Sequence, residues 1–249
     1  MPATTQSAAP STTVRRSLRW RVVDIVVASV LAVAIGVVFK LWEFGYEPIS
    51  AVAGLVLPGT QALFGGVWLL AGPVVAIVVR KPGAALYAEM VAASVEALLG
   101  TQWGWLTLEA GLVQGLGAEL VLALFLYRAY RLPVVVLAGA AAGLALGIND
   151  TVLWYPGLDA AFKTVYVVSA VVSGAVIAGL GSWLLVRALA ATGVLSSFAA
   201  GREHARRSTV TTAQEPSAPT DATAPADGAR SGTATPAAEQ AERGSRAAR

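Results

Sequence analysis

The chain has 249 residues, of which 56% are hydrophobic and only 13% are charged, and its mean hydropathy is +0.65. Soluble globular domains carry about 25% charged residues, so this composition excludes an ordinary soluble domain and predicts an integral membrane protein. A net charge of +3, scattered among apolar runs, excludes a nucleic-acid surface, and the lack of cysteine excludes disulfides, thiolate metal sites and a thiol nucleophile.

The two ends of the chain differ in composition from its middle. Residues 1–17 are polar and lack a signal-peptide pattern, and residues 196–249 are rich in Ala, Thr, Pro, Ser, Glu and Arg. We expect a flexible cytoplasmic leader over 1–17, a transmembrane domain over 18–195 and a disordered cytoplasmic tail over 196–249. The only histidine, His204, falls in this tail and is expected to be solvated.

Six apolar runs approach the roughly 20 residues that a helix needs to cross a bilayer core. They are about Trp20–Leu41, Gln61–Val79, Ala84–Leu99, Leu106–Tyr127, Pro133–Ile148 and Ala161–Leu189. The stretch Pro48–Leu57 is apolar but too brief to cross, so we expect a re-entrant or interfacial piece there. The sequence therefore predicts an all-α, polytopic integral membrane protein with six transmembrane helices.

The distribution of Lys and Arg predicts the orientation of these spans, because cytoplasmic loops are enriched in basic residues. Basic residues precede the first span and follow the second, fourth and sixth, whereas the other connections are acidic, aromatic or neutral. The basic set is Arg15, Arg16, Arg19, Arg21, Arg80, Lys81, Arg128, Arg131, Arg187, Arg202, Arg206 and Arg207. We therefore expect a multi-pass protein of the cell (plasma) membrane with both termini in the cytoplasm.

Small residues recur at four-residue spacing in the first span, at Ala28, Ala32 and Gly36. In lipid such a stripe lets another helix approach closely. Packing within the chain is the commoner reason for a stripe of this kind. A first helix at the edge of a bundle is also well placed to meet another subunit, and we predict a partner interface at these residues.

Two carboxylates in the third span, Glu89 and Glu96, are seven residues apart and share one helix face, roughly 10 Å apart along the axis. An ionised carboxylate at mid-bilayer costs about 2.5–3.5 kcal/mol on insertion scales. A single buried Glu is explained about equally well by a structural role, in which it is protonated or paired with Arg and holds two helices together, and by contact with a ligand. Two like charges on one dry face destabilise each other, so we expect either a cationic ligand or protonation.

The short connection Gly100–Trp105 predicts that the third and fourth spans form an antiparallel hairpin. We place Gln114 and Glu119 near the middle of the membrane, at the depth of Glu89. Because Glu109, Gln114 and Glu119 are spaced by five, they do not share a face, and at most two of them can reach one pocket. For Glu119 an arginine partner or a neighbouring subunit is the alternative.

Aromatic side chains gather at the predicted outer boundary, where an aromatic belt accounts for most of them. This group comprises Trp42, Trp103, Trp105, Trp154 and Tyr155. Rings also stack flat heterocycles and attract cations, and Trp103, next to Gln102, is the ring that we assign to a ligand site. Asn149 and Asp150 join Trp154 and Tyr155 in a second polar and aromatic cluster.

The predicted hairpin and the loop before it carry a distinctive set of residues, Arg80–Ala85, Glu89, Glu96, Gly100–Gly104 and Gly111–Glu119. This set resembles the YkoE family, the substrate-binding S components of energy-coupling factor (ECF) vitamin transporters, and the resemblance extends over roughly Trp20–Leu189. It implies a six-helix subunit that captures thiamine or its hydroxymethylpyrimidine (HMP) precursor from outside. It also implies a transmembrane coupling (T) protein and two cytoplasmic ATPases as partners, which agrees with the absence of a P-loop motif.

The resemblance makes residues 18–195 a substrate-binding domain and implies a set of ligand contacts. The hairpin positions that match the family are Glu89, Glu96, Gln102, Trp103, Gln114 and Glu119. To these we add Trp42, Asn149, Trp154 and Tyr155 as substrate-binding candidates. The stripe of Ala28, Ala32 and Gly36 suits the surface by which S components meet the coupling protein. No metal site and no cofactor are expected.

The chemistry of thiamine suits such a site, because carboxylates oppose its thiazolium cation and Trp stacks on its rings. Three other interpretations remain open. The chain is a non-catalytic membrane scaffold whose buried acids are structural, or an S component for a different heterocyclic vitamin. The least favoured is an intramembrane enzyme with Glu89 or Glu96 as general acid/base, since hydrolase and metalloprotease motifs are absent.

Overall fold

The structure, a computed structural model, describes residues 18–196, 198 and 200–202. The predicted leader over 1–17 and most of the predicted tail over 196–249, with His204, lie outside the described residues. Within the described residues every regular element is helical. This confirms the prediction of an all-α fold.

Seven α-helices run through the described part of the chain. They are α1 (Val22–Val56), α2 (Ala71–Val79), α3 (Ala84–Leu98), α4 (Leu106–Leu124), α5 (Leu132–Leu153), α6 (Ala160–Ser173) and α7 (Ser182–Ala191). A 3-10 helix, Thr60–Leu69, leads into α2, and a π-helical segment, Gly174–Gly181, joins α6 to α7. The 3-10 helix and α2 together form one longer apolar element, Thr60–Val79. The stretch from α6 to α7 forms another, Ala160–Ala191.

Five elements of the described chain are long and apolar enough to cross a membrane. They are Val22–Val56, Thr60–Val79, Leu106–Leu124, Leu132–Leu153 and Ala160–Ala191. The remaining predicted span, α3, has only 15 residues and is shorter than the roughly 20 that a crossing helix needs. The chain is thus a multi-pass membrane protein, and the count of six crossings stays a prediction.

Helix α1 is longer than the sequence predicted. It runs for 35 residues through Pro48 to Val56, so Pro48–Leu57 is not a separate re-entrant piece. A proline removes one backbone hydrogen bond, and the turns on either side of Pro48 hold the helix together. At 1.5 Å per residue α1 is about 52 Å long, which exceeds an apolar core of about 30 Å, so it must tilt or project.

The small-residue stripe of α1 faces the inside of the bundle. Ala28 and Ala32 are fully buried, and a Cβ placed on Gly36 would lie 2.6 Å from the carbonyl oxygen of Ala92 and 2.8 Å from Val95 Cβ. The partner of the stripe is therefore α3 of the same chain. The prediction that Ala28, Ala32 and Gly36 offer a surface to another subunit does not fit this packing.

We expect Gly36→Ala to destabilise the protein by about 1–3 kcal/mol, because the added methyl group forces two helix backbones apart. Gly45→Ala is the matched control in the same helix, since nothing lies within 4 Å of a Cβ at Gly45. There alanine should be neutral or stabilising by about 0.5–1 kcal/mol. Thermal unfolding in detergent compares the two variants, and equal midpoints would contradict the packing described above.

Helices α3 and α4 form the predicted antiparallel hairpin. Two glycines of α4 allow the close approach: a Cβ on Gly111 would lie 2.7 Å from Ala93 Cβ, and one on Gly115 would lie 3.0 Å from Leu86 Cα. The connection between the two helices, residues 99–105, lies beside the middle third of α1, to which it is hydrogen-bonded through Lys40 and Glu43.

Candidate ligand-binding cavity

A cavity of about 600 Å³ lies at the end of the bundle that holds the connection 99–105. Its walls come from α1, the 3-10 helix, α3, α4, α5 and the start of α6. Cavities of 300–1,000 Å³ are typical of sites for small molecules. The extension of α1 beyond its predicted end supplies part of one wall, at Tyr46, Glu47, Ser50, Ala51 and Gly54.

Three aromatic rings from three different elements form one side of the cavity. The ring centres of Tyr46 and Trp68 are 4.8 Å apart, and those of Trp68 and Trp103 are 5.3 Å apart. The planes meet at 79° and 88°, so the rings pack edge to face and leave faces open to a ligand. We call Tyr46, Trp68 and Trp103 the aromatic corner.

Glu96 lies beside the aromatic corner and is nearly inaccessible to solvent, at 2% exposure. The indole N–H of Trp68 donates to Glu96 Oε1 at 2.8 Å. This bond orients the carboxylate and joins it to a ring of the corner. A carboxylate flanked by aromatic faces is the arrangement that binds a flat cation, since both the charge and the rings attract it.

The cavity wall carries two more acids, each held by a polar neighbour. The Tyr166 hydroxyl donates to Asp150 Oδ2 at 2.8 Å, and the Asn149 amide donates to Glu109 Oε2 at 3.1 Å. These bonds leave further carboxylate oxygens available to hydrogen-bond donors of a ligand. The cavity wall thus combines aromatic rings beside a carboxylate with a second group of hydrogen-bonding side chains.

The charge of the cavity wall has one sign. Glu47, Glu96, Glu109 and Asp150 line the cavity, and no Lys or Arg of the described residues does so. The neighbouring lysine, Lys40, is bonded to Glu43 and to the Gly100 carbonyl, both at 2.8 Å. The site therefore attracts cations and repels anions.

Comparisons with known proteins agree on a transporter family. The chain matches the family model described as the permease component of an ABC-type cobalt transport system over residues 23–145. It is 38% identical over 186 residues to a Bacillus subtilis (strain 168) protein that bears the name HMP/thiamine permease protein YkoE, covering 74% of this chain and 92% of that protein. The chain belongs to the YkoE family.

A solved structure places this YkoE-family chain among the S components. The crystal structure of an S component of an ECF transporter is 33% identical to it, with a TM-score of 0.72. The superposition covers 79% of this chain and 99% of the other. The family resemblance predicted from the hairpin residues is thereby confirmed, and the chain is a transporter component rather than an enzyme.

Most of the predicted site residues of this S component line the cavity. Those that do so are Glu96, Gln102, Trp103, Gln114, Asn149, Trp154 and Tyr155. Their presence in one cavity follows from the antiparallel hairpin, which brings the end of α3 beside the start of α4 and opposite the end of α5. Whether each of them touches a ligand stays a prediction. Glu89, Glu119 and Trp42 lie outside the cavity wall.

Glu89 lies deeper in the bundle, between α2, α3 and α4. Its side chain is 1% exposed, and the backbone N–H of Gly72 donates to its Oε1 at 2.7 Å. Among the described residues nothing donates to its Oε2. Glu89 and Glu96 do share the face of α3 that meets the stretch Trp68–Gly72. Only Glu96, nearer the connection, opens onto the cavity.

Glu119 caps the beginning of α3. Its carboxylate accepts hydrogen bonds from the backbone N–H groups of Gly83, Ala85 and Leu86. These are donors that the first turn of a helix leaves unpaired, and the helix dipole favours a negative charge there. Glu119 is therefore at the end of the hairpin remote from the cavity, and its predicted depth beside Glu89 is wrong.

Trp42 ties α1 to the 3-10 helix, because its indole N–H donates to the carbonyl oxygen of Phe64 at 3.1 Å. It supports the cavity wall from behind. Sequence reasoning missed several side chains of the cavity wall, including Tyr46, Glu47, Trp68 and Tyr166. Trp68 carried a usable signal, since a Trp in the interior of an apolar run departs from the interfacial placement of Trp in membrane proteins.

Proposed function

We propose that this chain is the membrane-embedded substrate-binding subunit of an ECF-type ABC transporter that imports thiamine or its HMP precursor. The observation that carries the proposal is the cavity itself, with four carboxylates, three packed rings and, within the described residues, no lysine or arginine in its wall. Family membership and the name of the B. subtilis relative support the same ligand class. The proposal concerns ligand capture, and ATP hydrolysis belongs to other chains.

Thiamine matches both groups of side chains in the cavity wall. Its thiazolium ring carries a permanent positive charge, which suits Glu96 and the aromatic corner. Its aminopyrimidine offers an exocyclic amine and ring nitrogens to Asp150, Asn149 and Glu109. HMP would retain the second set of contacts and lose the charge-based first set, so we expect it to bind more weakly than thiamine.

Isothermal titration of the detergent-purified full chain with thiamine tests the proposal. Heat of binding at one site supports it. If thiamine and HMP both give no heat, the proposed ligand class fails. Binding of another cationic or neutral heterocycle would then indicate an S component for a different vitamin, and the absence of any ligand would favour a membrane scaffold.

Two tryptophans of the connection 99–105 provide a matched pair for this test. Trp103 packs in the aromatic corner, whereas Trp105 does not line the cavity and is 74% exposed. Losing one stacking ring costs about 1–3 kcal/mol, so Trp103→Ala should weaken thiamine binding roughly 5- to 150-fold. Trp105→Ala should leave the affinity unchanged. Equal losses of thiamine affinity in the two variants would show that the aromatic corner is not part of the binding site.

We further propose that the chain lies in the cell membrane with both termini in the cytoplasm and α3 as a sixth crossing. The basic residues of the sequence support this orientation, and the cavity then opens to the outside. The partners of such a subunit are a transmembrane coupling protein and two cytoplasmic ATPases. Gentle purification followed by mass spectrometry tests for these chains, and their absence would contradict the partner assignment.

A cobalt ion, suggested by the description of the matching family model, is less well supported as the cargo. In the described part of the chain no three or more His, Cys, Asp or Glu residues come close enough to hold a metal ion together. Cobalt prefers imidazole, carboxylate or thiolate ligands in such groups. Adding Co²⁺ in a parallel titration distinguishes the two cargoes.

A further inference from the structure

A lysine and a glutamate on α1 pair directly behind the cavity wall. Lys40 Nζ lies 2.8 Å from Glu43 Oε2, and the two side chains are 16% and 8% exposed. Neither residue lines the cavity, so this Lys40–Glu43 pair is not part of the ligand site described above. A desolvated ion pair that makes no contact with the ligand space needs another explanation.

Both members of the Lys40–Glu43 pair also bind the backbone of the connection 99–105. Lys40 donates to the carbonyl oxygen of Gly100 at 2.8 Å, and the backbone N–H of Gln102 donates to Glu43 Oε1 at 3.0 Å. The pair therefore holds the connection through one backbone hydrogen bond on each side of Thr101. Hydrogen bonds with one charged partner are about twice as strong as neutral ones, so this is a strong attachment.

The connection 99–105 carries two residues of the cavity wall. Gln102 and Trp103 both line the cavity, and the Trp103 ring completes the aromatic corner. The connection has no helical backbone of its own to hold it, and it turns through positive φ angles at Gly100 (+83°) and Gly104 (+59°). Its own turns are closed by short-range backbone bonds, and the bonds from Lys40 and Glu43 attach it to α1.

We propose that Lys40 and Glu43 are positioning residues for ligand retention: they hold the connection 99–105 against α1 so that Gln102 and Trp103 cover the bound ligand. This inference rests on the proposed function for the identity of the ligand. Loosening the connection should speed the escape of the ligand, because the bound ligand then loses part of the cover that Gln102 and Trp103 provide.

The central experiment measures thiamine dissociation from the detergent-purified full chain by stopped-flow tryptophan fluorescence. Lys40→Met keeps the apolar stem of the side chain and removes its donor to Gly100. We expect dissociation to become about tenfold faster, in keeping with the loss of one charge-assisted hydrogen bond. An unchanged dissociation rate overturns the proposal. If Lys40→Met does not fold, Glu43→Gln takes its place, with a smaller acceleration expected.

A charge swap separates the effect of the two backbone hydrogen bonds from the effect of the ion pair itself. The double variant Lys40→Glu/Glu43→Lys retains an ion pair on α1. It places a carboxylate against the Gly100 carbonyl and an ammonium group against the Gln102 N–H, so neither backbone bond can form. We expect dissociation as fast as in Lys40→Met. Restoration of the wild-type rate would show that only the ion pair matters and would overturn the proposal.

The beginning of α1 supplies a matched control. Lys81 Nζ donates to the Arg19 carbonyl oxygen at 2.8 Å and lies 3.5 Å from Asp24 Oδ2, and Lys81 is 7% exposed. This is the same chemistry, a buried lysine between an acid of α1 and a loop carbonyl, far from the cavity. Lys81→Met should lower the thermal midpoint without changing thiamine dissociation. Equal acceleration of thiamine dissociation by both substitutions would show that the Lys40–Glu43 pair only stabilises the fold in general, and would overturn the proposal.

Hydrogen exchange of the Gln102 amide tests the attachment without any ligand. In the ligand-free full chain, Lys40→Met should speed this exchange about tenfold, as expected for the loss of a strong hydrogen bond nearby, and Lys81→Met should not. Unchanged Gln102 exchange overturns the inference whatever the ligand is. Failure of the wild-type chain to bind thiamine overturns the proposed function instead, so the two failures are distinguishable.

Discussion

Replacement of Glu96 by glutamine is expected to weaken thiamine binding by more than tenfold while leaving the fold intact. The amide oxygen can still accept the Trp68 indole N–H, which is 2.8 Å from the carboxylate in the native protein. Only the negative charge is lost. Removing one member of a buried charge pair costs about 2–5 kcal/mol, which corresponds to roughly 30- to 4,000-fold in affinity. Isothermal titration measures this loss.

Glu89→Gln is the matched control for this substitution. Glu89 is on the same face of the same helix and is equally buried, but it lies outside the cavity and bonds to the Gly72 backbone. We expect its thiamine affinity to be that of the wild type. HMP is a second control, because it lacks the thiazolium charge and should lose little affinity in Glu96→Gln. Similar losses for thiamine and HMP would contradict the role of Glu96 as the counter-ion.

Phosphorylated thiamine is expected to bind at least 100-fold more weakly than thiamine. A phosphate would enter a cavity with four carboxylates, and none of the lysines or arginines in the described ranges lines its wall. Two like charges about 8 Å apart repel each other by about 2 kcal/mol at an effective dielectric constant of about 20, and several such pairs would act at once. Competition titrations with thiamine monophosphate measure the ratio.

Charge-neutral variants of Asp150 and Glu109 test the cause of this discrimination. Asp150→Asn and Glu109→Gln should each narrow the difference between thiamine and its monophosphate, because each removes one repulsive charge. Their side chains keep the size needed to fill the wall. If thiamine monophosphate binds the wild-type chain as tightly as thiamine does, repulsion from the wall does not set specificity, whereas the proposed ligand class would still hold.

The sequence was sufficient to predict the hairpin and the wall residues that it carries. Glu96, Gln102 and Trp103 lie within a few residues of one short connection, so local geometry alone brings them together. Gln114 follows from the antiparallel pairing of α3 with α4. Charge and aromatic character at these positions pointed to a cationic heterocycle before any tertiary contact was known.

The remaining features depend on contacts between distant parts of the chain. Trp68 and Glu96 are 28 residues apart in the sequence, and Glu119 is 36 residues from Gly83, the residue before α3. Neither contact can be predicted from a local sequence pattern. The stretch Pro48–Leu57 was predicted as a separate re-entrant or interfacial piece, but most of it continues α1. The stripe at Gly36 was correctly identified as a close-packing surface, but a pattern of small residues does not say which helix it meets.

The cap that Glu119 provides has a consequence for α3 in the proposed arrangement, in which this helix is the sixth crossing. With 15 residues it is about 22 Å long, well short of a hydrocarbon layer of about 30 Å, and such a mismatch is ordinarily met by thinning of the bilayer or by long flanking side chains that reach the headgroups. Here the first amide groups of the helix find an acceptor inside the protein, so in that arrangement they would not have to reach water or headgroups. A short crossing of this kind would fit a bilayer of normal thickness.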